Sequence, residues 1–421
     1  MNDMDFIRQV SRVDILLSQS RFSQAEELLE GLMSEGYNDI EILKMMSIAK
    51  MGLHNYEDVS QLCTMIIDQN PNESLAFYLL SNVKSVNRGF QEAKDLIDKA
   101  IIIEPTNPDY HAYKASLFLQ TKDYEDALNS ANIGLQIDAE NITSLNARSS
   151  ALVGLGRRQE AFETIDKSLA TDPNNPDTHA NLGWGLLHHG KSDDALMHFQ
   201  TALKVDPMSE YAKAGMLEAM KSKFPVYRYF LQFMLWLGKM KGKNQWIFII
   251  GSYIALRLLG NLADNNETLK PYLVPIIALI VIFFISTWVF SPLMNLYLMT
   301  NKFGRYTLSE QQKNTSTFVG VALLISLISL VAYFAFIPNE GVLALALFSF
   351  LIMIPLGSMH IPENIASQKK LQLATVVIAV LMCISVVISF TANIIFTSFT
   401  IIPVGLLVAY QWYVNYLTIK E

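Results

Sequence analysis

Four histidines fall close together, His179, His188, His189 and His198. Imidazole is the commonest metal-binding side chain near neutral pH, and a zinc site on a helix needs two of them at i and i+4. No pair here has that spacing, and the adjacent His188 and His189 must point in different directions, so no metal site is expected. The two cysteines, Cys63 and Cys383, lie too far apart for a disulfide framework or a CxxC pattern. Asp264, Glu310, Glu340 and Glu363 are acid–base candidates for chemistry at a membrane face, but no motif surrounds any of them. Gly154-Leu155-Gly156 and Gly183-Trp184-Gly185 have the glycines of a phosphate loop without the strand that must precede one. There is no GxSxG, HExxH, Walker or kinase pattern. Catalytic residues, metal and cofactor are therefore all expected to be absent, and the chain does not read as an enzyme.

The composition is stepped. The chain has 421 residues, 51% hydrophobic and 17% charged. Residues 1–223 carry 20 Lys and Arg against 33 Asp and Glu, a net charge of −13. Residues 224–421 carry 12 against 6, a net charge of +6. An acidic, water-soluble half is joined to an apolar, mildly basic one. The acidic half lacks the clustered Lys and Arg that would replace counterions on nucleic acid, so no nucleic-acid partner is expected. The N-terminal stretch has no basic segment followed by a continuous apolar run, so it does not read as a signal peptide.

The acidic half repeats itself every 34 residues. Ala25, Val59, Ala93, Ala127, Ala161 and Ala195 form one column, and Leu32, Ile66, Ala100, Gly134, Ser168 and Ala202 lie seven residues on. Twelve residues past the anchor come Tyr37, Pro71, Pro105, Ala139, Pro173 and Pro207, of which four are proline. Three before it stand Phe22, Tyr56, Phe90 and Tyr124, then Arg158 and Ser192. Small residues let two helices approach, an aromatic fills the wedge between them, and proline ends the second helix because it lacks an N–H. The expected fold is all-α, a helical solenoid of about six units. The pattern resembles the tetratricopeptide repeat (TPR) over residues 6–207. A solenoid must cover its end face, and Met208–Lys223 reads as the cap, with Tyr211, Ala214, Met216 and Met220 inward and charges outward.

Residues 1–223 are thus expected to be a cytosolic TPR domain, 224–244 an interfacial or connector helix and 245–421 a membrane domain. In the connector, Arg228, Gln232 and Lys239 make a thin polar stripe, with Tyr227 and Trp236 placed at headgroup level. Six apolar runs follow, at 245–262, 272–299, 316–337, 341–359, 371–391 and 394–418, each near the length of a spanning helix. Arg257 is the one charge in any of them and sits where it can snorkel. From a cytosolic start, the inside loops hold nine basic residues, Lys239, Lys241, Lys243, Lys302, Arg305, Lys313, Lys369, Lys370 and Lys420, and the outside loops hold Lys270 alone. By the positive-inside rule both termini are cytosolic. Ser326, Ser329, Ser385, Ser389 and Asn393 are expected to bond between helices. The loop 298–314, with Ser309 as a helix cap ahead of Gln312, is a candidate docking surface for the repeats or for lipid headgroups.

The whole layout resembles bacterial multi-pass membrane proteins with an N-terminal TPR domain. It implies a protein in the bacterial inner membrane, a scaffold or assembly factor that grips a partner protein or peptide in the TPR groove. The helices would meet lipid and a membrane-protein partner. The alternative is a transporter or channel subunit with a TPR regulatory domain. Intramembrane carboxylates and basic relays are usual in ion-coupled transporters, and the spans hold none. A membrane-embedded transferase is a third reading. In the TPR register the first helix of each unit presents its second, fifth, ninth and twelfth residues to the concave face. Counting from Ser74, Pro108, Ile142 and Pro176 gives Tyr78, Asn82, Asp109, Asn146, Ser150, Asp177 and Trp184 as the groove. The carboxylate clamp of some TPR domains is not matched, since Lys44 has Ile48 where its asparagine companion would stand. An internal or helical, basic segment is the expected ligand.

Overall fold

The computed structural model describes residues 3–300, 302–362 and 364–420. Glu363 lies outside the described residues, as do the side chains of Lys302 and Lys420. The described chain is helical, with no strand in it, and divides into two compact units, Met1–Leu182 and Gly183–Glu421.

The repeats are helix pairs in strict register. They are α1 (Asp3–Ser18) with α2 (Phe22–Ser34), α3 (Ile40–Gly52) with α4 (Tyr56–Gln69), and α5 (Ser74–Val86) with α6 (Phe90–Ile103). Then come α7 (Pro108–Gln120) with α8 (Tyr124–Ile137), α9 (Ile142–Leu155) with α10 (Arg158–Thr171), and α11 (Pro176–His188) with α12 (Ser192–Val205). Every second helix starts at the residue of the aromatic column. The alanine column is buried in all six pairs, and the column seven residues on is buried with it. Pro71, Pro105, Pro173 and Pro207 each stand two residues beyond a helix end. The aromatics do fill wedges: a Cβ added at Gly52 would come within 2.4 Å of the Phe22 ring, and one at Gly154 within 2.3 Å of Tyr124. This is a TPR-type solenoid.

Two further columns share the period. Asp39, Asn107, Asn141 and Asn175 each turn a side-chain oxygen onto a backbone N–H of the helix they open, and Ser209 does the same beyond the last pair. Glu73 occupies the same place without a side-chain bond. Between the helices of each pair, one residue is left-handed: Ser20, His54, Arg88, Lys122, Gly156 and Gly190. The residue after it bonds five residues back, as in Asp123 N to Phe118 O at 2.8 Å and Arg157 N to Leu152 O at 2.9 Å. This is the Schellman closure, which satisfies the last carbonyls of a helix.

In the second unit α13 (Glu210–Lys221) closes the last pair. Phe199 of α12 lies against Gly183 and Gly215, where an added Cβ would stand 2.7 and 2.2 Å from the ring. The inward face of α13 is Ala212, Gly215, Met216 and Ala219, while Tyr211 and Ala214 are exposed. The expected face was thus rotated by about a residue, because small residues rather than large ones meet the Phe199 ring. Leu217 is buried on the opposite side, and so is Lys221, one of the charges expected outward. Next come α14 (Pro225–Gly238), α15 (Gly242–Asp264), α16 (Lys270–Met299) and α17 (Lys302–Thr307). The chain ends with α18 (Glu310–Ala335), α19 (Glu340–Leu351), α20 (Met353–Ser358), α21 (Ile365–Ala392) and α22 (Ile401–Lys420).

Among the described residues, five helical stretches are long and apolar enough to cross a membrane: Gly242–Asp264, Lys270–Met299, Glu310–Ala335, Glu340–Ser358 and Ile365–Ala392. Of the expected run 394–418, residues 394–400 are non-helical, and α22 carries Gln411, Asn415 and three tyrosines among its apolar residues. The core of this bundle joins Val319, Phe348, Ile354, Ile378, Leu407 and Val414. Its outer surface is also apolar, with Ile328, Phe334, Leu373 and Val387 each more than 60% exposed. Pro292 removes the N–H that would bond Trp288 O one turn earlier. Gly357 packs at that spot, where an added Cβ would stand 2.5 Å from the same carbonyl. Ser326 bonds Ala346 O across to α19, as expected of it, whereas Ser385 bonds Leu381 O on its own helix. Asn393 ends α21 in the left-handed region and accepts from Glu340 N at 3.0 Å.

Candidate functional site

The residues expected in the groove sit on the first helices of the pairs. Tyr78 is half-buried, stacked on Tyr110 at 5.3 Å and edge-on to Tyr113 at 5.1 Å. Burial raises its phenol pKa, a shift that the Asn82 side chain partly opposes and the Asp109 carboxylate adds to. Asn82 also donates to Tyr78 O at 3.0 Å. The structure therefore brings Tyr78, Asn82 and Asp109 together around one aromatic cluster. Asp109 is exposed and accepts from Asn141 at 2.9 Å.

A second group forms at Asn146. Its Oδ1 accepts from Thr178 Oγ1 at 2.9 Å, and Thr178 Oγ1 is also 2.9 Å from Ser168 Oγ. Asn146 is thus engaged in joining successive units. Asp177, next to Thr178, is exposed, and Ser150 is half-exposed on the same helix as Asn146. Trp184 belongs to the second unit. Its indole N–H donates to Tyr211 O at 3.3 Å, and its ring stands edge-on to Phe199 at 5.7 Å. Much of that ring is spent on packing within the last pair and its cap. One of the four clustered histidines bonds a backbone carbonyl: His179 Nε2 lies 3.1 Å from Pro173 O, as His111 Nε2, two repeats earlier, lies 3.0 Å from Pro105 O. No group of three His, Cys, Asp or Glu that could hold a metal occurs among the described residues. Lys44 is held by Glu41 at 3.1 Å and Glu73 at 3.6 Å.

Sequence reasoning missed two places. One is a cavity of about 310 Å³ between α2, α3 and α4, lined by Met33, Met46, Leu62 and Met65 with Lys50 at its edge. Lys50 reaches Glu26 at 2.6 Å and Asp58 at 2.9 Å, and these bonds, Glu26 first, raise its pKa. Thioethers make such a hollow adaptable in shape. The density of methionine in the first two units is the signal for it.

The other is the junction beyond the cap. Lys221 is only 2% exposed and donates to Glu218 at 2.8 Å and to Ser291 at 3.0 Å. Tyr227 donates to the other Glu218 oxygen at 2.7 Å, and its ring lies 5.2 Å from that of Phe290. Burial and the Glu218 charge both push the Tyr227 pKa strongly up. Tyr227 is therefore not at a lipid-facing surface. Leu217, Leu298 and Leu308 form a small core beside this network, so the loop 298–314 meets the cap. Ser309 and Gln312 make the expected reciprocal helix cap there. The polar stripe of α14 is satisfied locally, Arg228 bonding Ser222 O at 3.1 Å and Gln232 lying against Gly190.

Residues 164–197 match the family profile described as Tetratricopeptide repeat. The chain is 33% identical over 72 residues to the TPR repeat-containing thioredoxin TDX of Arabidopsis thaliana, covering 17% of this chain and 19% of that protein. It is 20% identical over 216 residues to the DnaJ homolog subfamily C member 7 homolog of Dictyostelium discoideum, covering 50% of this chain and 36% of that protein. It spans only a minor part of the length of these relatives. Among solved structures, a tetratricopeptide repeat protein from Parabacteroides merdae matches at 16% identity and a TM-score of 0.45, over 52% of this chain and 86% of that one. YrrB, described as a TPR protein with an unusual peptide-binding site, matches at 17% identity and a TM-score of 0.32, over 44% of this chain and 95% of that one. The similarity found is thus to tetratricopeptide repeats, over part of a helical-repeat array that an apolar helical bundle follows.

Proposed function

We propose that the chain is a membrane-embedded scaffold whose cytosolic TPR array holds a partner protein or peptide at the bilayer. One observation carries it: a helical repeat array is followed in the chain by helices long and apolar enough to cross a membrane, with large apolar side chains exposed on them. Apolar patches of that extent are not left to water. Six helix pairs whose caps, turns and core columns keep one period make a surface for binding rather than for chemistry. The groove residues remain Tyr78, Asn82, Asp109, Asn146, Ser150, Asp177 and Trp184. Within them the exposed carboxylates Asp109 and Asp177, two repeats apart on equivalent helices, favour a basic, extended or helical segment. Counting α22 as a sixth span beside the five, the excess of Lys and Arg in alternate loops supports cytosolic termini, and we take the membrane to be a bacterial inner membrane. Labelling of single cysteines with an impermeant reagent tests the arrangement. Asn265→Cys is expected to react in intact cells, and Gln368→Cys only after rupture. The reverse pattern would overturn the orientation, and full extraction by alkaline carbonate would overturn the membrane reading itself.

The transporter or channel reading is favoured by one observation. Asn295 is 5% exposed within α16, and its amide oxygen has no partner. In a scaffold, Asn295→Leu relieves an unsatisfied polar group and raises stability. In a transporter it would abolish flux into sealed vesicles.

A further inference from the structure

A cavity of about 510 Å³ lies under the cap, between α12, the α13–α14 link and the end of α16. Leu196, Met220, Phe224 and Leu298 supply apolar walls, and Lys223 and Tyr297 supply a cation and a phenol. Phe224 and Tyr297 meet edge-to-face at 4.9 Å, fixing the wall between them. Tyr297 and Leu298 occupy the last turn of a helix of 30 residues whose body is mostly apolar, with Ser286, Thr287, Ser291 and Asn295 in its second half. If that helix spans, its last turn lies at the depth of lipid headgroups. Lys223 supplies the positive charge in the wall itself. Arg305 follows Gly304, which packs so closely on Leu298 that an added Cβ would stand 2.5 Å from its carbonyl. The helix α14 opens at Pro225 with no acidic residue in its first turn and no side-chain cap, so its positive end adds to the field. The one carboxylate paired there is Asp193, 3.2 Å from Lys223, and both side chains are more than half exposed. Such a pair is screened by water and readily exchanged.

We propose that this cavity binds an anionic glycerophospholipid, its phosphate held by Lys223 and the Tyr297 hydroxyl and its upper acyl chain against Leu196, Met220 and Phe224. The proposal rests on the membrane reading above. An acidic repeat domain would otherwise be repelled by an anionic leaflet, and a bound lipid beneath the cap supplies a fixed attachment where that domain ends. The ligand is a lipid and not free phosphate, because the greater part of the wall is apolar.

Native mass spectrometry of the full chain in mild detergent tests this, with phosphatidylglycerol and phosphatidylcholine of identical acyl chains added in competition. The wild-type protein is expected to retain phosphatidylglycerol preferentially. Lys223→Gln should lower that retention about fivefold, the effect of one basic residue near an anionic surface, and Asp193→Asn should raise it by freeing the ammonium. Equal retention of the two lipids, or a preference unchanged in Lys223→Gln, would overturn the proposal. Displacement of phosphatidylglycerol by millimolar inorganic phosphate would also overturn it, in favour of a free-anion site. Carbonate washing of membranes carrying the same variants separates the two failures. A chain that stays in the membrane without lipid preference refutes only the lipid site, and one that is extracted refutes the membrane reading.

Discussion

Cys63 shows how far one side chain's chemistry is set by its place in the repeat. It is fully buried in α4, and burial pushes its thiol up to about 11 against a weaker opposing hydrogen bond from Ser47. The fold therefore favours the neutral thiol. This costs no stability below the unfolded thiol's pKa, and stability is lost as the pH rises from there toward about 11. Native protein at pH 8 should leave Cys63 unmodified by a maleimide until the repeats unfold, and fast native modification of a variant lacking Cys383 would contradict this. The left-handed column makes a second residue-scale point. Gly156 has open space around it, so only its backbone angle objects to a side chain. Gly156→Ala should lower stability by about 1 kcal/mol, whereas Gly31→Ala, equally unobstructed but inside α2, should raise it by about 0.5–1 kcal/mol. Urea denaturation of both variants decides it, and the same sign for both would contradict the turn geometry. That column was hard to see in the sequence because Ser20, His54, Arg88 and Lys122 hide what Gly156 and Gly190 disclose.

Among the elements, the repeat helices were the most legible. Their alanine, aromatic and proline columns have direct steric causes, and the helices start where those columns place them. Overpacking is the test: Ala127→Leu, at a wholly buried position of α8, should cost about 1–3 kcal/mol, and an unchanged melting curve would mean the register is wrong. The capping helix was legible only on one side. A lysine and a glutamate near a helix end read as a solvated face, and nothing local to Glu218 or Lys221 reveals that Ser291 and Tyr227, from distant segments, will enclose them. Removing one partner of a buried ion pair leaves an uncompensated charge. Glu218→Gln should therefore destabilise the full chain by about 3–5 kcal/mol, seen as a lower melting temperature in detergent, and an unshifted transition would show that the pair is not enclosed. The same interaction displaced Tyr227 from the headgroup level that an aromatic beside an apolar run suggests, while Trp236 on the other face of α14 remains exposed.

At the scale of the molecule, the step from an acidic repeat half to an apolar, basic half was plain from composition, because a charged surface and an apolar one draw on opposite residue types. The groove was less legible. The repeat register names positions, but it does not say which of them the fold itself consumes. Asn146 is engaged in joining successive repeats, Trp184 in packing within the last pair and its cap, and Tyr78 in an aromatic cluster, while Asp109, which accepts from Asn141, and Asp177 are the exposed carboxylates of the set. The most direct measurement is affinity capture from gently solubilised membranes, comparing the full chain with its Asp109→Lys, Asp177→Lys double variant. Capture of a cytosolic partner by the wild-type chain, lost in a variant that keeps its helical circular dichroism and its place in the membrane, is the result predicted here. An identical set of captured proteins from both would contradict a scaffold that works through this face of the repeats.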